Sequence, residues 1–411
     1  MSVILHSDLN CFYASVEMNE QPQLKGKKVA VCGSTENRHG IVLTASYPAK
    51  RSGVKTGMAN WQAKQACPGL IMVDPHYDLY LKYSRIVRRI YQRYSEIIEP
   101  FGMDENWIQL PFTNDVEGIG FQTAEEIRKT VESETGLTVS IGVSFNKIFA
   151  KLGSDMKKPD AVTVITRESF KDQIWPLPVS DLLYVGRATT EKLRLYGIRT
   201  IGDLAQADRA MLIRRLGVNG EKLWVFANGL DQSRVMPCDY EIPIKSVGHG
   251  ITCTADLRTN DEVRHVLMEL SQEVGAKLRK SKLAATRVRI SVRDNTLSQK
   301  EYQGKLEFPT QSYTEIAAAG FDLFCRRYPW TADVRSLTIS AIDLIPADTP
   351  IQLDLWSDFE KHHKRLTLER TVEDIRHRYG LGMINFAALT FGLKMPTHRE
   401  IEYKMPPVMY H

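Results

Sequence analysis

The sequence predicts a multidomain α+β protein, and three observations lead there. Through the first 165 residues, β-branched runs such as VILHSD, KVAVCGS and LTVSIGVS alternate with amphipathic stretches. Around 176–232 the character changes to short helices joined by glycine turns, in YVGRATTEKLRLYGIRTIGDLA and RRLGVNGEKLWVFANGLD. After a proline-bearing linker from about Cys238 to Gly248, the order becomes strand, helix, strand, strand, helix, strand. A chain of 411 residues, 43% hydrophobic and 25% charged, can bury the cores that such a layout needs.

The opening VILHSD reads as a buried strand that stops at an acid, Asp8, and CFYASVEM follows with helical character until Pro22 and Gly26 break it. GIVLTASYPAKRSGVKTGM gives a strand, a turn before Pro48 and a basic segment closed by glycines. From Tyr77 to Glu99, apolar and aromatic positions Leu81, Ile86, Ile90, Tyr94 and Ile97 recur at helical spacing and predict the buried face of a helix. IIEPFGMDENWIQLPF turns at Pro100 and Gly102 and resumes as a strand, and a helix is expected around Ala124 to Glu134. Beyond Pro350 one further helix places Leu366, Val372, Ile375 and Tyr379 near one face, for the core or for a partner helix.

Composition excludes several classes. Six cysteines never approach a Cys-x-x-Cys spacing, which removes zinc fingers and dithiol redox centres and suits reduced thiols in a cytoplasm. MSVILHSDLN has no basic stretch leading an apolar run, and nowhere do eighteen apolar residues follow one another, so neither secretion nor membrane spanning is expected. With Lys+Arg 54 against Asp+Glu 49, the net charge of +5 leaves a polyanionic partner to be decided by local clustering.

Asp8 at a strand end and the Asp104–Glu105 pair in FGMDENW carry the strongest chemical signal. Carboxylates from two strand ends suit hard divalent cations, which take oxygen ligands and keep positions open for phosphates. Neighbouring strand residues face opposite ways, so Asp104 and Glu105 share a site only at a bend, which Gly102 can supply; otherwise the pair is a solvated turn. A second signal is KLRKSKLAATRVRISVR, residues 277–293, where Lys277, Arg279, Lys280, Lys282, Arg287, Arg289 and Arg293 stand with no acid. In RVRISVR a strand would bury Val288, Ile290 and Val292 and present the arginines together at about 6.6 Å spacing, fitting DNA phosphates or a solvated edge strand.

These acids sit in longer patterns. DLNCFYASVE (8–17), YPAKRSGVKTGM (47–58), GMDENW (102–107), SIGVSFNKIFAKLGSDMKKPDA (140–161), the glycine-turn helices and KSVGHG (245–250) resemble, in order and spacing, the signatures of Y-family DNA polymerases of the DinB and UmuC type. The resemblance runs over nearly the whole chain, and the placement of the tail helix is similar to the UmuC-like branch. It implies a right-hand polymerase with a palm of mixed sheet and helices (1–13 and 75–165), small fingers (14–74) and a helical thumb with a helix-hairpin-helix (166–235). A linker (236–243), an α/β little finger (244–346) and a tail (347–411) would complete it.

Carried over by position, the resemblance implies two Mg²⁺ ions held by Asp8, Asp104, Glu105 and the Leu9 carbonyl, with primer–template DNA and dNTPs as substrates for translesion synthesis. Tyr13 would be the steric gate against a ribose 2′-hydroxyl, or else a core aromatic beside Phe12. The amides of Phe12 and Tyr13, with Tyr47, Lys50 and Lys158, would hold the triphosphate, and Arg51 would share the task because Lys50 lacks an arginine's fork. Gly102, Met103, Asn106 and Trp107 depart from the commonest Ser-Ile-Asp-Glu-Ala-Phe pattern, which bears on local packing and efficiency. Val185 and Gly186 would present amides to DNA phosphates, although Tyr184 replaces the usual first glycine and simple helical packing is the alternative. QLDLW at 352–356 looks like the peptide by which bacterial polymerases bind their sliding clamp, with Gln352 at the pocket rim and Leu353, Leu355 and Trp356 in an apolar groove; the alternative is a closing edge strand. The core is expected to be monomeric.

Overall fold

The computed structural model describes residues 2–34, 40–111, 113–240, 242–352, 358–380, 383–390 and 392–395. The chain forms two compact units, one holding residues 2–33 and 41–240 and the other residues 34 and 40 with the described residues from 242 onward. Among the described residues no helix is long and apolar enough to cross a membrane, and all six cysteines are free.

The first unit begins β1 (Val3–Leu9), α1 (Phe12–Glu20), β2 (Val29–Cys32), β3 (Val42–Ala45), α2 (Tyr47–Arg51), α3 (Asn60–Ala66), β4 (Ile71–Val73) and α4 (Tyr77–Tyr91). It continues with β5 (Ile98–Phe101), β6 (Glu105–Leu110), α5 (Phe121–Thr135), β7 (Val139–Ser144), α6 (Lys147–Met156) and β8 (Val162–Ile165). Five of these strands make one sheet in the order β5-β6-β1-β7-β8, with β1 at its centre and antiparallel to both neighbours. Every residue of β1 is buried, because both faces are covered: Val3, Leu5 and Leu9 join a core with Val87 and Ile90 of α4 and Ile127 of α5, while Ile4 packs with Ala150 of α6. That double cover is why the strand reads as a continuous run rather than an alternation. The smaller sheet β3-β2-β4 has its own core around Ala30, Val42, Ala49 and Cys67.

The helical stretch contains α7 (Phe170–Ile174), α8 (Arg187–Arg194), α9 (Ile201–Gln206), α10 (Arg209–Leu216) and α11 (Val218–Ala227), packed with Phe149 and Leu152 of α6. The second unit holds β9 (Ser246–Leu257), α12 (Asn260–Lys280), β10 (Leu283–Asp294), β11 (Gln299–Thr310), α13 (Tyr313–Arg327), β12 (Val334–Pro346) and α14 (Phe359–Tyr379). Its sheet runs β11-β10-β12-β9, entirely antiparallel, with the apolar faces of α12 and α13 against Val288, Ile290, Val292, Leu337 and Ile339. From β9 to β12 the order strand, helix, strand, strand, helix, strand is the one the sequence predicts, whereas α2, α3 and β4 of the first unit are not read from it.

Three local expectations need correction. α4 ends at Tyr91, so Tyr94 and Ile97 lie beyond it, and its buried residues are Tyr80, Ser84, Val87, Ile90 and Tyr91, with Leu81 and Ile86 only partly covered. Hydroxyl pairing lets polar residues take the inner face: Tyr91 bonds Ser7 at 2.8 Å and Tyr80 donates to Glu17 at 2.5 Å. Pro100 does not turn the chain but sits inside β5, an edge strand where its missing N–H is tolerated. In α14 the buried residues are His362, Glu369 and Arg376, while Leu366, Val372 and Ile375 are half-buried and Tyr379 is exposed. Glu369 accepts from Ser312 Oγ, Thr314 Oγ1 and the amides of Tyr313 and Thr314 at the start of α13, and His362 Nδ1 lies 2.9 Å from Glu315. Polar docking therefore outweighs the apolar stripe.

Helix α6 approaches the backbone of β7 closely. A Cβ on Gly142 would stand 2.0 Å from Ala150 O and 2.6 Å from Ser154 N, both backbone atoms that cannot rotate away. Gly142→Ala is expected to cost about 1–3 kcal/mol of stability by forcing α6 off the sheet, read as a lower midpoint in a thermal melt; an unchanged midpoint would contradict this packing.

Candidate active site

Asp8 stands at the end of β1 directly across from Glu105, the first residue of β6. Gly102 takes φ +79°, a left-handed conformation open to glycine, so the chain turns sharply and Asp104 O accepts the Leu9 N–H at 3.0 Å. The bend thus resolves the objection from strand alternation and brings Asp8, Asp104 and Glu105 into one electrostatic cluster. Burial, then the charges of Asp8 and Glu105, push Asp104 up to about 7. Burial and Glu105 also raise Asp8 against the opposing pull of Lys151 and Lys158. Burial pushes Glu105 up too, but His6 and Lys151 outweigh it and hold that carboxyl down at about 2.

Helix α6 and the segment just after it supply the compensating charge. Lys151 Nζ lies 3.0 Å from Glu105, 3.0 Å from Asp155 and 3.7 Å from Asp8, while Lys158 Nζ lies 2.5 Å from Asp8 and 2.8 Å from Asp155. Burial lowers both ammonium groups, yet the carboxylates around them more than offset it and keep both above the usual lysine range. With these lysines in place, no set of three His, Cys, Asp or Glu side chains among the described residues forms a ready-made metal cage. The donor set nevertheless fits divalent cations: three hard oxygen donors crowd one site, and their mutual repulsion is what a bound cation relieves.

His6, Lys151 and Asp155 are the functional neighbours that reading the sequence missed. His6 is fully buried on β1, with Nε2 3.3 Å from Glu105 and Nδ1 2.9 Å from Ser154 Oγ. The four-residue spacing of Lys147, Lys151 and Asp155, which puts all three on one side of α6, was the available signal. Trp107, the departure in the acidic motif, fills the space beneath: its Nε1 donates to Lys147 O at 3.0 Å, and its ring meets His6 edge-on at 5.0 Å. Lys147 Nζ lies 4.5 Å from that ring and pairs with Glu99 at 2.7 Å. Asn106 is buried beside it.

Around the acids stand several nucleotide candidates. Cys11 in a left-handed conformation starts α1 with no side-chain cap, which leaves the opening amides of Phe12 and Tyr13 to seek another acceptor. The Tyr13 ring stacks on Tyr80 at 4.2 Å and meets Tyr77 edge-on at 6.0 Å; burial and the Asp104 charge push its hydroxyl up to about 12. Tyr47 opens α2 instead of preceding a turn, and burial, Cys11 and Asp8 all raise its hydroxyl. Lys50 Nζ lies 5.2 Å from the Tyr47 ring, whereas Arg51 is exposed and has no ion-pair partner among the described residues.

The proposed DNA contacts separate. Arg287, Arg289 and Arg293 lie on the face of β10 opposite Val288, Ile290 and Val292, and β10 is an inner strand, which removes the edge-strand alternative. Lys305 of β11 stands across from Arg287 and adds a cation that the sequence could not place there. Lys277, Arg279 and Lys280 belong to α12, in the layer on the other face of the sheet, and Arg279 is committed to Glu373, Glu369 and Gln311 O, so the seven cations are not one surface. Lys282 is exposed in the turn between these layers. Val185 is buried and donates its N–H to Leu182 O, so its amide is not open to phosphate; Gly186 caps α8 with free space around it. Gln352 is exposed beyond β12, and Leu353, Leu355 and Trp356 lie outside the described residues.

Comparison with known proteins identifies the family. Residues 7–155 match the impB/mucB/samB family and residues 244–355 match its C-terminal domain. DNA polymerase IV of Acetivibrio thermocellus is 48% identical over 378 residues, covering 92% of this chain and 95% of that protein. DNA polymerase IV 1 of Bacillus subtilis is 37% identical, with 94% and 92% covered. A solved Y-family DNA polymerase chimera shares the fold with a TM-score of 0.72 at 24% identity, covering 84% of this chain and 99% of its own. Acids gathered at paired strand ends and relatives matched along nearly their whole length lead to one conclusion: the chain belongs to the impB/mucB/samB family, the Y-family DNA polymerases of the DinB type.

Proposed function

We propose that this template-directed translesion DNA polymerase works at Asp8, Asp104 and Glu105, with the Leu9 carbonyl as a further ligand, on two Mg²⁺ ions. The family implies divalent-metal-dependent catalysis, and the crowded carboxylates of this chain carry the reading. Bound there, the ions would lower the pKa of the primer 3′-hydroxyl and neutralise the departing pyrophosphate as the α-phosphate is attacked in line. The chain's own groups handle the nucleotide. The amides of Phe12 and Tyr13, the Tyr47 hydroxyl, Lys50 and Lys158 donate to triphosphate oxygens, with Arg51 as an outer cation. Tyr13, held flat by Tyr80, blocks a 2′-hydroxyl.

In this reading β5-β6-β1-β7-β8 with α4 to α6 is the palm, β3-β2-β4 the fingers, α7 to α11 the thumb and β9 to β12 with their helices the little finger. Arg287, Arg289 and Arg293 follow the DNA backbone, and Gly186 gives the thumb a phosphate contact. Gln352 starts the sliding-clamp peptide at 352–356, which its exposure supports. Free cysteines suit a cytoplasmic setting.

Primer extension tests the assignment. Wild type extends a primer with dNTPs as the template directs; Asp104→Ala lowers the rate by about a thousandfold or more; Tyr13→Ala accepts ribonucleotides. Extension by Asp104→Ala at the wild-type rate would remove the assignment.

Protons compete with metal at Asp104. Its raised pKa means that the metal-free fold draws stability from the protonated form below the ordinary carboxylate range and loses it as pH rises through about 7. Metal requires the ionised form, so Mn²⁺ affinity by calorimetry is expected to be about tenfold weaker at pH 6 than at pH 8, with proton uptake by buffer at the lower pH. A pH-independent affinity would contradict it.

Removing Arg287, Arg289 and Arg293 together is expected to reduce the slope of log affinity against log salt by about 2–3. An unchanged slope in a fluorescence-anisotropy titration would place the phosphates elsewhere.

A further inference from the structure

Between Gln21 and Val73 the chain carries eight lysines and arginines against one acid, Glu36. That surplus exceeds the +5 of the entire chain, so this segment, like 277–293, is a local concentration of positive charge. In its midst, Trp61 in the first turn of α3 is 66% exposed, and no ring, cation or hydrogen-bond partner covers its indole among the described residues. A large aromatic left in water forgoes the stabilisation that burial would give it. Ile41, 45% exposed, forms an isolated bridge with Ala59, two residues before Trp61. Lys64 follows one helical turn after Trp61 and Lys55 lies in the approach to α3; both are exposed.

Position narrows the ligand. Strand β3 begins beside Ile41 and leads through Ser46 into α2, which opens at Tyr47, whose hydroxyl is near Asp8, so the patch sits about 20 Å or less along the chain from the nucleotide groups. An aromatic face beside exposed cations suits a polyanion that offers flat apolar faces, and bases offer those faces only when they are not already stacked in a duplex.

We propose that Trp61, flanked by Lys55 and Lys64, is a stacking platform for an unpaired template base ahead of the insertion position. This rests on the template-directed reading above and deepens it. The indole takes the base, the ammonium groups take adjoining phosphates, and no sequence is read.

The test uses the full chain and two labelled primer–templates with the same duplex, one with a 5′ template overhang of about ten nucleotides and one with about a single nucleotide. Trp61→Ala is expected to weaken binding to the long overhang by about tenfold and to leave the short one unchanged, with Trp61→Phe retaining most of the affinity. Equal loss on both DNAs, or no loss on either, would overturn the platform. Wild type that neither binds nor extends either DNA would instead overturn the polymerase reading.

Discussion

Like charges crowded into a poorly solvated pocket repel unless a cation stands beside them, and the arrangement around Asp8 answers to that constraint. Two antiparallel strand ends bring Asp8 and Glu105 opposite each other, and the turn at Gly102 folds Asp104 in with them. The resulting strain is electrostatic and is met from α6, where Lys151 spans Glu105, Asp155 and Asp8. For that helix to reach so close, β7 must offer a glycine at 142. Metal affinity, helix placement and the backbone of the central sheet are therefore one linked problem.

The same linkage explains the altered residues of the acidic motif. Trp107 is larger than the commonest residue there, yet it is fully buried and its one polar atom is satisfied by Lys147 O. It braces His6, which stands against Glu105, and it meets Lys147, whose charge is paired with Glu99. Glu99 also accepts the Met236 N–H at 2.8 Å, tying the stretch after the helical module back to the sheet. The substitution is thus built into the support of the site.

Much of this was legible in the sequence for identifiable reasons. Asp8 ends a buried run, Gly102 marks a bend, and the alternation in RVRISVR gives one apolar and one basic face. What escaped was long-range. Arg279 resembles its basic neighbours until Glu369 and Glu373, some ninety residues later, claim it. The inner face of α4 went to Tyr80 and Tyr91 because their hydroxyls find partners on other elements, which helical periodicity cannot register. Lys151 looked like any surface lysine until folding set three carboxylates around it.

The docking of α14 has a consequence for uniqueness. An apolar stripe can slide along a groove with little change in energy, since one methyl contact resembles another. Glu369 cannot, because its four donors exist at one place, the opening turn of α13. Slippage by a single turn, about 5.4 Å, would strand that carboxylate and pull His362 from Glu315 at the same moment. The helix accordingly has one registry on the domain and no graded series of near-equivalent ones.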